Sequence, residues 1–214
     1  MSNDNRGARS VGRTWLSALV FCLSSALLAA PAGAQEKPAD VALEPVFNGK
    51  DLTHFKTPQP NPWWKVVDGV LVGENDPAKK GNVMYTEKAY GDFALEAEVR
   101  FPENIDSGFM YGKPELQVQL GVSRSLKKDM TGSIYYKGKY PGVAQGVDKL
   151  LKLGEWNTVR FEVRGKQTKV WLNGQHVLTW ECPDEVKPGP IGLQVHGGVV
   201  MKVEFRSIKV GEIK

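Results

Sequence analysis

Gly192, Gln194 and His196 occupy alternate positions in the run Gly189-Pro-Ile-Gly-Leu-Gln-Val-His-Gly-Gly198. Alternate side chains of a strand share a face, so this run offers a glycine, an amide and an imidazole together. Ile191, Leu193 and Val195 then point the other way, into a core. A neutral imidazole can take a proton near neutral pH. An amide carries two donors and an acceptor, and the paired glycines leave space beside the histidine. Two other segments repeat the pattern. Glu115, Gln117 and Gln119 alternate with Leu116, Val118 and Leu120, and Glu96, Glu98 and Arg100 alternate with Leu95, Ala97 and Val99. Rows rich in amides and poor in lysine are weak solubilising surfaces. They suit sugar hydroxyls, which need donors and acceptors in pairs. Tyr111, Tyr135, Tyr136 and Tyr140 lie close by in sequence and could supply ring faces for stacking. The expected sugar face therefore combines His196 as base with Glu98, Arg100, Tyr111, Glu115, Gln117, Gln119, Tyr135 and Gln194 as binding residues. The row Arg160, Glu162, Arg164 reads instead as the solvated side of a sheet.

Other chemistries lack their residues. The retaining glucanases built on jelly rolls carry Glu-x-Asp-x-x-Glu on one strand, and the nearest stretch here is Glu115-Leu-Gln-Val-Gln119, so hydrolysis by two carboxylates is disfavoured. Neither a His-x-x-x-His pair nor a cysteine cluster is present, and Glu103, Asp106 and Asp129 read as loop carboxylates without an EF-hand pattern. A nucleophile elbow and a P-loop are both missing. His54 and His176 read as structural or solvated. Cys182, the only cysteine after the leader, has no internal partner and reads as a small buried residue.

The elements that must position these residues are short strands. The first 34 residues form a separate unit: Arg6, Arg9 and Arg13, an uncharged apolar run from Trp15 to Ala30, and Ala32-Gly33-Ala34 as a small-x-small cleavage site. That is the pattern of a secretory signal peptide cut near Ala34, which places the protein in the periplasm or outside the cell. The apolar run falls short of the roughly 20 residues of a membrane span, so no transmembrane segment is expected in the mature chain. Without the leader's three arginines and one aspartate, 25 basic residues face 23 acidic ones, a net +2. No basic stripe for nucleic acid is visible. Residues 35–42 read as a flexible lead-in and 43–214 as one domain. Asp68-Gly69 and Asn173-Gly174 each separate two apolar runs, the strongest hairpin signals in the chain. About ten short strands, one helical turn at most near Val147 to Lys152, and regular turn signals predict an all-β sandwich of jelly-roll type with two antiparallel sheets.

Taken in order, Phe47-Asn-Gly-Lys-Asp-Leu-Thr53, Trp64-Lys-Val-Val-Asp-Gly-Val-Leu-Val72, Tyr90-Gly-Asp-Phe-Ala-Leu-Glu-Ala-Glu-Val-Arg100, Ser107-Gly108, Gly132-Ser-Ile-Tyr135, Gly154-Glu-Trp-Asn157, Trp171-Leu-Asn-Gly174 and Gly189 to Gly198 with Val203-Glu-Phe-Arg-Ser-Ile208 resemble the 3-keto-disaccharide hydrolase domain family. The resemblance implies a concanavalin-A-like fold and action on glycosides oxidised at C3. A C3 ketone acidifies the C2 hydrogen, so a base can remove it and the C1 substituent can leave. A divalent metal is a possible cofactor on the same ground. The pattern departs from the family at three places. Gly112 stands where an arginine is common, Gln117 where a glutamate is usual, and Val122 where an aspartate is expected. Three functions follow: a secreted enzyme cleaving 3-keto-glycosides, a non-catalytic carbohydrate-binding module of the same fold, and an envelope protein that uses the same sheet against a partner.

Overall fold

A computed structural model describes residues 36–102 and 105–214; the leader and the expected cleavage site lie outside the described residues. Among these, sixteen strands follow one another. They are β1 (Glu44–Pro45), β2 (Phe55–Lys56), β3 (Trp64–Val67), β4 (Val70–Glu74), β5 (Asn82–Tyr90), β6 (Phe93–Arg100), β7 (Asp106–Tyr111) and β8 (Leu116–Ser123). Then come β9 (Lys128–Asp129), β10 (Ile134–Tyr136), β11 (Lys139–Gly142), a 3-10 turn (Val147–Lys149), β12 (Asn157–Arg164), β13 (Gln167–Leu172), β14 (Gln175–Glu181), β15 (Gly189–Val195) and β16 (Lys202–Glu212). No described helix is long and apolar enough to cross a membrane.

Two antiparallel sheets result. One runs β14-β13-β12-β6-β16-β4-β3, with β1 also on β16. The other runs β11-β10-β8-β7-β15-β5-β2, with β9 on β8. The expected all-β jelly-roll sandwich is the fold observed. Both predicted hairpins close through paired left-handed residues, Asp68 and Gly69 at φ 50° and 80°, Asn173 and Gly174 at φ 50° and 79°. Those values match the turn whose twist suits adjoining strands.

The apolar members of each alternation meet between the sheets. Phe109 of β7 lies 5.7 Å from Phe161 of β12 and 5.7 Å from Phe205 of β16, ring centroid to centroid. Phe93 adds an edge contact to Phe161 at 5.6 Å. Such aromatic pairs contribute about 0.5–1.5 kcal/mol each beyond the area they bury. Cys182 is buried and unpaired.

Two expectations about the first sheet need correcting. The lead-in is held rather than free. Ala39 N–H donates to Glu162 Oε1 at 2.7 Å, Arg160 Nη2 donates to the Ala39 carbonyl at 2.6 Å, and Trp171 Nε1 donates to the Glu36 carbonyl at 2.7 Å. Glu36 also pairs with Lys169, which holds its carboxyl below the usual range. Residues 36–42 thus strap the outer surface of β12 and β13. For the same reason the Arg160, Glu162 row is not a solvated one: Glu162 is 4% exposed.

Candidate functional site

The second sheet brings the amides together. In β8 the residues alternate with the core members Leu116, Val118 and Leu120, which turns Gln117 and Gln119 outward from the sandwich. The register then fixes their neighbours. Tyr135 pairs with Gln117, Gln117 with Met110, Met110 with Gly192, and Gly192 with Tyr85, so one row crosses the sheet with a tyrosine on either flank. In the next row Gln119 pairs with Gly108 on one side and Gln194 with Val83 on another. Gly108 is required there, because a Cβ would overlap the Gln117 side-chain amide.

The amides form one connected set. Gln117 Nε2 shares its two protons among three oxygens, the Ser107 carbonyl at 3.0 Å, Gln119 Oε1 at 2.9 Å and Gln194 Oε1 at 3.0 Å. Gln119 Nε2 donates to Asp106 Oδ1 at 2.9 Å. Gln117 and Gln119 are buried and Gln194 is half-buried. His196 follows directly on β15 and is half-buried as well. Its Nδ1 lies 2.7 Å from the Gly197 carbonyl. A carbonyl can only accept, so Nδ1 carries a proton, and in the neutral ring the lone pair is then on Nε2. That is the form a general base needs.

Asp106 is not a loop carboxylate. It opens β7 on the same face as Gly108 and Met110, is 6% exposed, and takes a second hydrogen bond from Arg124 N–H at 3.1 Å on Oδ2. It has no cationic side-chain partner among the described residues. A cavity of about 330 Å³ opens beside it, lined by Asp106, Val122, Ser123, Arg124, Lys127 and Val199. The Arg124 guanidinium lies against the turn after the histidine, with Nη1 3.3 Å from where a Cβ on Gly198 would stand. Tyr140 packs against Tyr135 at 5.1 Å. Its phenol is pushed up to about 12, chiefly by burial, with the Asp106 charge adding to the rise. Tyr140 therefore stays a donor at any ordinary pH. A larger cavity of about 500 Å³ lies by Lys128, Gln145, Asp148 and Leu151, and none of the predicted site residues lines it.

Three predicted binding residues belong elsewhere. Glu98 and Arg100 sit on β6, in the first sheet, on the opposite outer surface. Glu98 takes two hydrogen bonds from Arg206, at 2.7 and 3.0 Å, and Arg100 donates to Glu204 at 2.6 Å. Period two gave their face correctly but could not say which sheet they would join. Tyr111 is in the core, 1% exposed, packed on Phe161 and hydrogen-bonded to Thr168 Oγ1 at 2.7 Å. It shares parity with Phe109, so its side of β7 faces inward. Tyr136 is likewise buried, against Trp180. Glu115 lies just outside β8 and is exposed; it accepts from the Tyr85 hydroxyl at 2.6 Å. Burial and this carboxylate raise the Tyr85 phenol well above its ordinary range.

Asp106 as a face residue, Arg124 and Tyr85 were not foreseen. Asp106 and Tyr85 had a legible signal, since each is in step with a neighbour on the amide face. Arg124 had none, because a turn residue's direction depends on the sheet beneath it. A metal fits poorly: among the described residues no three His, Cys, Asp or Glu side chains converge, and both Asp106 oxygens already accept from N–H groups.

Residues 42–211 match the sequence profile of the 3-keto-alpha-glucoside-1,2-lyase-like domain. The chain belongs to that family. As a member of the 3-keto-alpha-glucoside-1,2-lyase-like family it also shares its architecture with solved structures. A candidate glycosyl hydrolase from Parabacteroides distasonis superposes with a TM-score of 0.64 at 24% identity, over 80% of this chain and 100% of the other. A β-glucanase from Bacillus licheniformis gives 0.55 at 15% identity, over 82% and 99%. A protein of unknown function with a galectin-like fold from Bacillus subtilis gives 0.52 at 13% identity, over 83% and 98%. At these identities the likeness is one of fold. No match was found among curated proteins.

Proposed function

We propose that this family member is an exported carbohydrate-active protein that cleaves 3-keto-glycosides at the amide face, with His196 as base. The observation that carries the reading is the tautomer of His196: its Nδ1 proton is held by Gly197, leaving Nε2 free beside the strand that bears Gln194. Export rests on the leader pattern of residues 1–34.

The chemistry balances without a glycosidase carboxylate pair. His196 Nε2 takes the C2 proton, and the C–H electrons pass into an enolate whose charge rests on the C3 oxygen. The enolate re-forms the ketone, a C1=C2 double bond is made, and the C1–O bond breaks. The departing alkoxide collects the proton from the imidazolium, giving a free alcohol and a 2-hydroxyglycal-type enone. Water added across C1=C2 completes hydrolysis. Donors aimed at the C3 oxygen favour the enolate over the ketone, because they strengthen as charge develops. We assign that role to the Gln194 amide, supported by its outward NH2, and to the Arg124 guanidinium, supported by its position against Gly198.

A second reading is favoured by one observation. The acidic position expected beside the histidine is Gln117, which can neither accept a proton at neutral pH nor act as a strong metal ligand. On that reading the protein is a carbohydrate-binding module that binds sugar on the same face without turnover. Incubating the mature protein with a 3-keto-disaccharide, with and without divalent cations, separates the two. Release of free sugar or of a 2-hydroxyglycal supports the enzyme. Measurable binding with no product under any condition establishes the module.

A further inference from the structure

The amides of the second sheet have a direction, and both ends of the chain that sets it are groups that can only accept. Asp106 Oδ1 receives the Gln119 NH2, so the Gln119 oxygen must face the other way, toward Gln117. The Ser107 carbonyl also receives the Gln117 NH2. Two independent acceptors therefore force Gln117 to be a donor, and a Gln194 NH2 turned toward that nitrogen would set donor against donor, so the Gln194 oxygen faces it. The NH2 of Gln194, the one half-buried member, is left pointing away from the chain. No hydrogen bond within the described residues uses it.

We propose that Asp106 is a positioning residue: through Gln119 and Gln117 it orients Gln194 so that the face presents a hydrogen-bond donor, and this selects a carbonyl oxygen over a hydroxyl in the bound sugar. A ketone oxygen only accepts, so it matches an NH2. A hydroxyl brings a proton that also needs an acceptor, and the Gln194 NH2 offers none. Leaving that proton unpaired in a half-buried site is costly, while the ketone leaves nothing unmatched. The inference rests on the sugar-binding reading for its ligand, but its mechanism is internal to the protein. It also accounts for the glutamine at 117. A carboxylate there would set two acceptor-only groups at the ends of Gln119, which has a single NH2 to offer between them, and would face the Ser107 carbonyl as well.

Three variants test it: Asp106→Asn, Gln117→Glu, and both together. Gln117→Glu alone should lower Tm by roughly 5 °C, since it buries opposed acceptors. The double variant should recover part of that loss, because an amide at 106 and a carboxylate at 117 reverse the chain and pair both remaining glutamines again, leaving only the Ser107 carbonyl without its donor. Binding of methyl 3-keto-glucoside and methyl glucoside is then compared by calorimetry in a His196→Ala background, where the ketone is not consumed. The parent should favour the keto sugar by about tenfold or more. The double variant should invert the preference, as Gln194 then shows its oxygen. A merely structural role for Asp106 would not move that ratio. A double variant no more stable than the worse single overturns the directed chain. A ratio unchanged across the series overturns its role in selection. An inverted ratio without turnover in the native protein upholds this inference and sinks only the catalytic reading. Failure of every form to bind either glucoside overturns the ligand half together with the sugar reading, while the melting series still decides whether Asp106 orients the amides.

Discussion

The two outer surfaces of the sandwich use the same sequence device to opposite ends. On the first sheet, alternate polar residues are charged and matched: Glu98 with Arg206, Arg100 with Glu204, Arg160 with Glu162. Trp156 lies between Arg100 and Arg206, whose guanidinium carbons are 4.6 and 4.2 Å from its ring centroid. Most of the charges there are answered by others from the same chain, and little is left to offer a ligand. On the second sheet the alternate residues are amides and one carboxylate, and the His196 imidazole follows just past the end of β15. Their mutual hydrogen bonds leave the Gln194 NH2 and the His196 Nε2 without partners among the described residues. A polar row becomes a site when the neighbouring strands fail to satisfy it, and that depends on strand order rather than on composition.

Four substitutions would break or sharpen this contrast. His196→Ala should lower turnover of a 3-keto-disaccharide by at least about 100-fold, the usual range for a general base, with Tm nearly unchanged; product release measured against melting checks both. Glu162→Ala, on the other surface, should do the reverse. It leaves the Ala39 N–H without its acceptor and takes from Arg160 the nearer of its two carboxylates, costing about 2–3 kcal/mol in urea unfolding while sugar binding stays intact. Tyr111→Phe should cost about 1 kcal/mol through the lost bond to Thr168 and leave the Kd for sugar unchanged. A weakened Kd would restore Tyr111 to the site. The smallest effect belongs to Glu98→Gln. Arg206 first, then Ser207, holds the Glu98 carboxyl below its usual range. A lowered folded value means the stabilisation is present above the unfolded value of about 4.3 and fades as pH falls through the folded one. The variant should therefore flatten the acid limb of Tm against pH by a few tenths of a kcal/mol, small because the pair is largely solvated. Turnover near neutral pH should not change.

The fold was legible in the sequence because its signals are local. Asp68-Gly69 and Asn173-Gly174 specify their own turns, and Phe93, Leu95, Ala97 and Val99 declare one face without reference to anything else. Gln117, Gln119 and Gln194 could be read as a set for a related reason: their strands alternate cleanly and their side chains are poor at simple solvation. Glu98 and Arg100 looked equally promising, since nothing within β6 records that β16 will deliver Arg206 and Glu204 beside them. Strands β9 and β11 were missed because two to four residues of Lys, Tyr and Gly carry no period. They add width at the Tyr135 edge, where Tyr140 arrives. Arg124 reaches the histidine's turn only once β8 is seen to run on to Ser123.

The strap of residues 36–42 has a consequence for where this protein can be cut. The family profile begins at residue 42, yet Trp171, Arg160 and Glu162 find their partners in residues upstream of it. The sequence signature is thus shorter than the unit that folds. A chain started at residue 43 would keep every motif of the family and lose the cover of a buried ion pair. Trimming to the apparent domain boundary should turn a stable sandwich into one whose ligand-free surface attracts other molecules.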